Sequence, residues 1–299
     1  MRAFRPSRCP DEPREVDMSS TPPALHLVAE REPSAAKLSL REASKAYVQA
    51  SGERVPAVYR ATLDVSPGEF VCLIGPSGCG KSTVLNMIAG LERPDEGRVL
   101  MDGRPVEGPG PDRAVLFQEP SLFPWLSVVA NIEFALELRG TQKRDRTERA
   151  MAWLEKVGLA RFALAQPHEL SPGMRQRAAL ARALSCEPEV LLADEPFGAL
   201  DAQSREVLQR ELQQVWLETK NTFVFVTHNV REAVFLADRV VLMSARPGTF
   251  VAEHRISSPR PRAFEDVLLS KVVVDIHDHL LKEVEAIAAL EAGARTDLA

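Results

Sequence analysis

The sequence predicts an α/β fold organised around a mainly parallel sheet. Short continuous apolar runs at residues 70–74, 190–193 and 222–227 alternate with stretches of helical periodicity. That is the pattern of buried parallel strands covered by helices on both faces. A glycine-rich turn, Gly75-Pro76-Ser77-Gly78-Cys79-Gly80-Lys81-Ser82-Thr83, joins the first apolar run to an amphipathic segment. Before that turn the pattern is different. Residues about 37–74 alternate polar and apolar, which suits antiparallel strands.

Taken in order, residues 1–36 are rich in proline and charge, lack periodicity, and read as a disordered arm. They contain no apolar segment of a secretory signal, and Met18 offers an alternative start. Strands are expected at 38–43, 55–59 and 61–65, followed by a turn at 66–69 and the buried strand 70–74. A helix follows the glycine-rich turn. Residues 98–101 form a strand ending in a tight Asp102-Gly103 turn, and 114–117 form another. From 128 to 139, 144 to 157 and 170 to 184 the pattern is helical, which interrupts the alternation and marks an inserted helical subdomain. Strands at 190–193, 222–227 and 239–243 then alternate with helices at 205–219 and 231–237. Pro259-Arg260-Pro261-Arg262 reads as a linker-like break. Beyond it Phe264, Leu268, Val272, Ile276, Leu280, Val284 and Ile287 recur at helical spacing, as one or two helices. These helices either dock on the main domain or form a separate partner-binding element.

The bulk properties narrow the class. The chain has 299 residues, a net charge of -5 and 4 cysteines. No basic patch points to nucleic acid. The cysteines (Cys9, Cys72, Cys79, Cys186) show neither C-x-x-C pairing nor metal-ligand spacing, which suits a reducing cytosol. No run approaches the roughly 18 apolar residues that a membrane span needs.

The glycine-rich turn matches G-x-x-x-x-G-K-[ST], the P-loop. Glycines let successive backbone N–H groups point into one concavity, and the following helix N-terminus adds unpaired donors with a partial positive charge. Lys81 is placed to reach the β- and γ-phosphates, and the Ser82 hydroxyl to hold Mg²⁺. Cys79 lends only its backbone N–H, although its thiol offers a route to oxidation or alkylation. A second motif ends the strand at 190–193. There Asp194 is placed to hold Mg²⁺ opposite Ser82, and Glu195 to polarise a water for attack on the γ-phosphate. Both sit where ligands bind in such sheets, beyond the carboxyl ends of the strands. The expected class is an α/β P-loop NTPase core with a mainly parallel sheet, an N-terminal antiparallel β subdomain and the helical insertion.

A third motif, Leu170-Ser171-Pro172-Gly173-Met174-Arg175-Gln176-Arg177, resembles the LSGGQ-type signature of ABC transporter ATP-binding subunits. Gln118, Asp194-Glu195, Gly198-Ala199-Leu200-Asp201 and Thr227-His228 fall in that family's order. The resemblance covers residues 37–250, leaving 251–299 as a C-terminal linker and helical extension. Residues 122–128, 194–201, 226–234, 236–240 and 245–248 are most similar to the ATP-binding subunits of nitrate, sulfonate and taurine importers.

The resemblance implies roles. Tyr47 would stack on adenine, unless it is an ordinary half-buried strand tyrosine. Gln118 would contact Mg²⁺ and the attacking water and sense the membrane partner. Ser171 and Gly173 would meet the γ-phosphate of a nucleotide held by a second copy. Asp201 would lie across the dimer interface, and His228 would contact the γ-phosphate. Two departures stand out. Pro172 replaces a usual glycine, removing an N–H donor near the phosphate. Asn229 replaces a common aspartate, losing a charge.

The implied function is an ATPase subunit of an importer that sandwiches two Mg-ATP between two copies. Its partners would be an integral-membrane permease and, indirectly, a periplasmic or extracellular substrate-binding protein, with no nucleic acid. It would sit peripherally on the cytoplasmic face of the membrane. Phe123, Pro124 and Trp125 offer a docking surface if they are not core residues. A soluble non-transport ABC-type ATPase is the alternative; it usually shows a long coiled-coil insertion or two ATP domains. A P-loop kinase or GTPase would lack the signature helix and His228. Which solute is carried is not written in this chain.

Overall fold

The computed structural model describes residues 36–296, so the N-terminal arm lies almost wholly outside the described residues. Strands β1 (Leu38–Val48), β2 (Arg54–Val65), β4 (Glu96–Met101) and β5 (Arg104–Pro105) form an antiparallel sheet in the order β2-β1-β4-β5. The two strands expected at 55–59 and 61–65 are one strand. Arg60 takes a left-handed φ of 44°, and the β1–β2 register shifts between Ala43 and Lys45. A bulge therefore replaces the expected break. The Asp102-Gly103 turn forms as anticipated, with φ of 48° and 75° at the two residues.

The second sheet carries the site. It comprises β3 (Phe70–Ile74), β6 (Arg113–Leu116), β7 (Val190–Asp194), β8 (Thr222–Val226), β9 (Arg239–Met243) and β10 (Phe250–Arg255). Their order is β10-β9-β3-β8-β7-β6, with every pairing parallel except β10–β9. β10 was not anticipated, and it carries the sheet past the expected domain boundary at 250 to Arg255.

Alternation along β3 builds a core on each face. Phe70, Cys72 and Ile74 join Phe223, Phe225 and Trp216 on one side. Val71 and Leu73 join Val224, Val226 and Leu192 on the other, under the antiparallel sheet. Each buried side chain of this size contributes about 1.5–3 kcal/mol. The helices are α1 (Lys81–Ala89), α2 (Val128–Leu138), α3 (Lys143–Lys156), α4 (Pro172–Ser185), α5 (Ala202–Thr219), α6 (Val230–Leu236) and α7 (Val267–Thr296). The expected insertion has its own core, in which Ile132 and Leu136 of α2 meet Leu154 of α3 and Ala178 of α4.

The segment expected as a linker, 259–262, is instead a packed strap. Arg262 is 5% exposed, and its guanidinium donates to the carbonyls of Val234, Phe235 and Ala237 at the end of α6. Arg260 donates to Asp238 Oδ1 at 2.8 Å and lies 4.2 Å above the Trp216 ring. With Arg260 also donating to the Leu236 carbonyl, two cations satisfy carbonyls that a short helix would leave unpaired. Burial pushes the Arg262 guanidinium down to about 10, which still leaves it charged at neutral pH. Beyond the strap, Phe264 stacks on Phe235 with centroids 3.9 Å apart. The C-terminal periodicity resolves as one helix, α7, with Leu269 and Ile276 buried; the side chains of Val284 and Ile287 lie outside the described residues.

Candidate functional site

Four parallel strands deliver four loops to one edge of the sheet. β3 ends at Gly75, β6 leads to Gln118, β7 ends at Asp194 and β8 leads to Thr227-His228. This is the crevice at strand carboxyl ends where α/β sheets bind ligands.

The P-loop wraps the start of α1. Gly80 caps the helix with φ 97°, and a Cβ there would lie 2.7 Å from the Ala57 carbonyl oxygen. No other residue fits both the backbone and the space. Lys81 is 6% exposed, and its Nζ donates to the Gly75 and Pro76 carbonyls at 2.9 Å each. The amine is thus folded across the loop from which it would reach a phosphate. Ser77, Gly78, Ser82 and Thr83 complete the turn and the first helical residues.

Cys79 is 1% exposed, and burial pushes its thiol up. Reactivity needs an accessible thiolate, so the geometry runs against the oxidation or alkylation route. The sequence did not single out the packing role of Gly248. A Cβ there would sit 1.8 Å from the Cys79 carbonyl oxygen, so the 244–249 loop presses directly on the P-loop. Only a glycine permits that approach.

Tyr47 projects from β1 to the first turn of α1, where its hydroxyl donates to Thr83 Oγ1 at 3.4 Å. It is 39% exposed, with an open ring beside the phosphate loop rather than a place in the core. Asp194 faces the loop from β7. Burial raises its pKa, while the hydrogen-bonding Ser82 side chain pulls it back down. Among the described residues it has no salt bridge. A half-buried carboxylate beside a hydroxyl, with the Lys81 charge near but no ion pair among the described residues, fits a magnesium site.

Glu195 occupies a left-handed backbone conformation, φ 43°, and its N–H donates to the Val226 carbonyl at 2.9 Å. Such a φ is costly for a non-glycine residue, and strain of this kind clusters at functional sites. It turns the carboxylate toward β8, where Oε2 lies 2.9 Å from His228 Nδ1. The Gln118 amide and the Glu195 carboxylate converge beside Gly198. Gln118, Asp194, Glu195 and His228 are therefore brought to the P-loop edge.

Ser171, Gly173 and Asp201 are not brought there. Ser171 N-caps α4, accepting from Met174 N at 3.3 Å, with Pro172 at the first helical position. The cleft at this helix end is lined by Ser171, Gly173, Gln203, Ser204 and Val207, and by no P-loop residue. Asp201 N-caps α5, accepting from Ser204 N at 2.9 Å, and hydrogen bonding from the Ser204 side chain and then from its backbone N–H holds the carboxyl below the usual range. Asn229 N-caps α6, with Oδ1 accepting from Arg231 N at 3.0 Å and Glu232 N at 3.3 Å. Asparagine is among the best residues for that task, so the lost charge leaves the local geometry intact.

A fold with a P-loop, a strand-end carboxylate pair and a helical insertion defines an ATP-binding cassette. The ABC transporter family model matches residues 58–198. The nitrate import ATP-binding protein NrtD of Synechocystis is 46% identical over 222 residues, covering 74% of this chain and 83% of that protein. The taurine import ATP-binding protein TauB of Rhizobium johnstonii is 47% identical over 215 residues, covering 72% and 82%. A dimeric ATP-binding cassette in a post-hydrolysis state with ADP and Pi superimposes with a TM-score of 0.65 at 32% identity. It covers 74% of this chain and all (100%) of that one. The chain belongs to the ABC transporter ATP-binding family. It is an ATPase cassette, and its relatives include import ATP-binding subunits.

Proposed function

We propose that this chain is the ATP-hydrolysing subunit of an importer, acting as a homodimer that closes on ATP and drives a separate membrane permease. The observation that carries the dimer is the separation of the two phosphate-facing elements. Lys81 and the P-loop lie at the sheet edge, while Ser171 and Gly173 border α5. One copy supplies each half, so a second copy completes the site, with Asp201 at the shared surface.

In that site the P-loop N–H groups and Lys81 hold the phosphates, and Tyr47 stacks on the base. Ser82, Asp194 and Gln118 would hold Mg²⁺, whose charge offsets that of the phosphates when bound. Glu195 orients water and accepts its proton. His228 Nδ1 lies 2.9 Å from the Glu195 carboxylate, and a bond from its other ring nitrogen to the γ-phosphate requires that nitrogen to carry an N–H as well. The rate gain comes from positioning and charge complementarity.

The surface for the permease lies on the insertion. Trp125 and Leu138 are each 73% exposed, and Phe123 packs 5.5 Å from Trp125 and 5.0 Å from Phe134. A groove of about 380 Å³ opens among Phe123, Phe134, Leu138, Arg139 and Arg182. No helix among the described residues is long and apolar enough to cross a membrane, which fits a peripheral subunit on the cytoplasmic face. The transported solute is a small molecule of the nitrate, sulfonate or taurine kind, handed over by a binding protein.

The test is Glu195→Gln in the full chain. ATP binding is retained, turnover falls about 10²–10⁴-fold, and an ATP-dependent dimer accumulates in sedimentation. Undiminished turnover would overturn the assignment of Glu195. Failure to co-purify with a permease, or to be stimulated by it, would point to a non-transport ATPase.

A further inference from the structure

We propose that Glu232 is a positioning residue for His228, acting through a buried Gln209–Glu232–Thr227 network that fixes how the histidine meets Glu195. The proposal rests on the reading of His228 and Glu195 as hydrolytic groups.

Glu232 lies in the first turn of α6 and is 4% exposed. Both carboxylate oxygens are engaged. Oε1 accepts from Gln209 Nε2 of α5 at 2.6 Å, and Oε2 accepts from the Thr227 hydroxyl. Thr227 Oγ1 in turn accepts from the Asn229 N–H at 3.0 Å, and the Thr227 N–H donates to the Leu73 carbonyl at 3.2 Å. His228 stands between these two anchored residues. Its backbone is therefore held from both sides, on a chain of hydrogen bonds in which the Asn229 N–H donates to Thr227, the Thr227 hydroxyl donates to Glu232, and Gln209 donates to Glu232 from the far side.

Packing alone does not account for this carboxylate. Burial raises its pKa, and it has no salt bridge among the described residues. A buried carboxylate is costly unless its acceptors are used. Here a carboxylate is the group that accepts on both sides. Leucine at 232 fills a similar space and accepts from neither Gln209 nor the Thr227 hydroxyl, whereas glutamine keeps both contacts once the Gln209 amide turns to present its oxygen. If Thr227 turns, the 228–229 peptide turns with it, and the ring leaves Glu195. The far end of α6 is clamped by Arg262, and Phe235 stacks on Phe264. A change at Glu232 is therefore relieved at the loop rather than by a shift of the helix.

The experiment compares full-length wild type with Glu232→Leu, Thr227→Val and Thr227→Ser, alone and combined with His228→Ala. Steady-state ATPase gives kcat and KM, and fluorescent-nucleotide binding gives Kd. Glu232→Leu and Thr227→Val should lower kcat about tenfold to hundredfold, with KM and Kd within about twofold. Thr227→Ser, which keeps the hydroxyl, should retain kcat. In the His228→Ala background Glu232→Leu should add no further loss. Wild-type kcat in Glu232→Leu, or an equal fractional loss with and without His228, would overturn the proposal. If Glu232→Leu does not fold, Thr227→Val decides, and wild-type kcat there would overturn it. Wild-type turnover in His228→Ala alone would instead remove the catalytic reading beneath it.

Discussion

Pro172 shows how one residue serves two demands. As the first helical residue of α4 it has no N–H, a donor that would be unpaired there in any case, and its ring presets φ. Yet this helix end is where the resemblance puts a phosphate, and each N–H there is a potential ligand. We expect Pro172→Gly to hydrolyse ATP faster than wild type while weakening α4 by roughly 1 kcal/mol through added backbone freedom. Paired turnover and urea-denaturation measurements check both halves, and equal turnover would show that the missing donor is irrelevant. Asn229 carries a related lesson. Its departure from aspartate costs a charge but keeps the cap on α6, so the local fold is preserved where the electrostatics are not.

At the scale of elements, the contact between β10 and α7 has a pH sense. His254 Nε2 lies 3.0 Å from His279 Nδ1, with the rings 5.0 Å apart. Burial lowers the His254 pKa from its ordinary value of 6.5; His279 adds to the lowering and Asp275 opposes it. The unfolded chain takes up this proton below about pH 6.5, whereas the folded His254 resists it until lower pH. The contribution to docking is therefore complete above that value and is lost as pH falls from there through the lowered folded pKa of His254. Hydrogen exchange should show weaker protection of residues 267–283 at pH 5.5 than at pH 7.5, after correction for intrinsic rates. His254→Gln should remove the difference, and unchanged protection in wild type would refute it.

On the scale of the whole molecule, the exposed aromatics of the insertion are separate from the hydrolytic edge. Trp125→Ser and Leu138→Asp should therefore leave the ATPase of the isolated chain unchanged. Loss of a buried tryptophan anchor costs an interface about 2 kcal/mol or more, some thirtyfold in affinity. Co-purification with the permease and permease-stimulated turnover should both fall. If both persist, the docking surface lies elsewhere.

The P-loop, the Asp194-Glu195 strand end and the signature segment were legible because each is written in contiguous residues whose chemistry needs no distant partner. The buried strands were legible for the same reason: an unbroken run such as Phe70–Ile74 has apolar side chains on both faces. The strap at 259–262 was not, because proline and arginine read as solvent-exposed until α6 offers carbonyls to Arg262. Nor was β10, whose half-exposed residues pair only because β9 lies beside them. Glu232 was hidden among ordinary helix charges; only the approach of Gln209 and Thr227 makes it a buried acceptor. Thus the sequence by itself determined the phosphate cradle, the fold class and the family, which depend on local spacing and hydrophobic pattern. The tertiary structure decided which polar side chains are buried and what they hold, because that depends on partners the chain brings together only by folding.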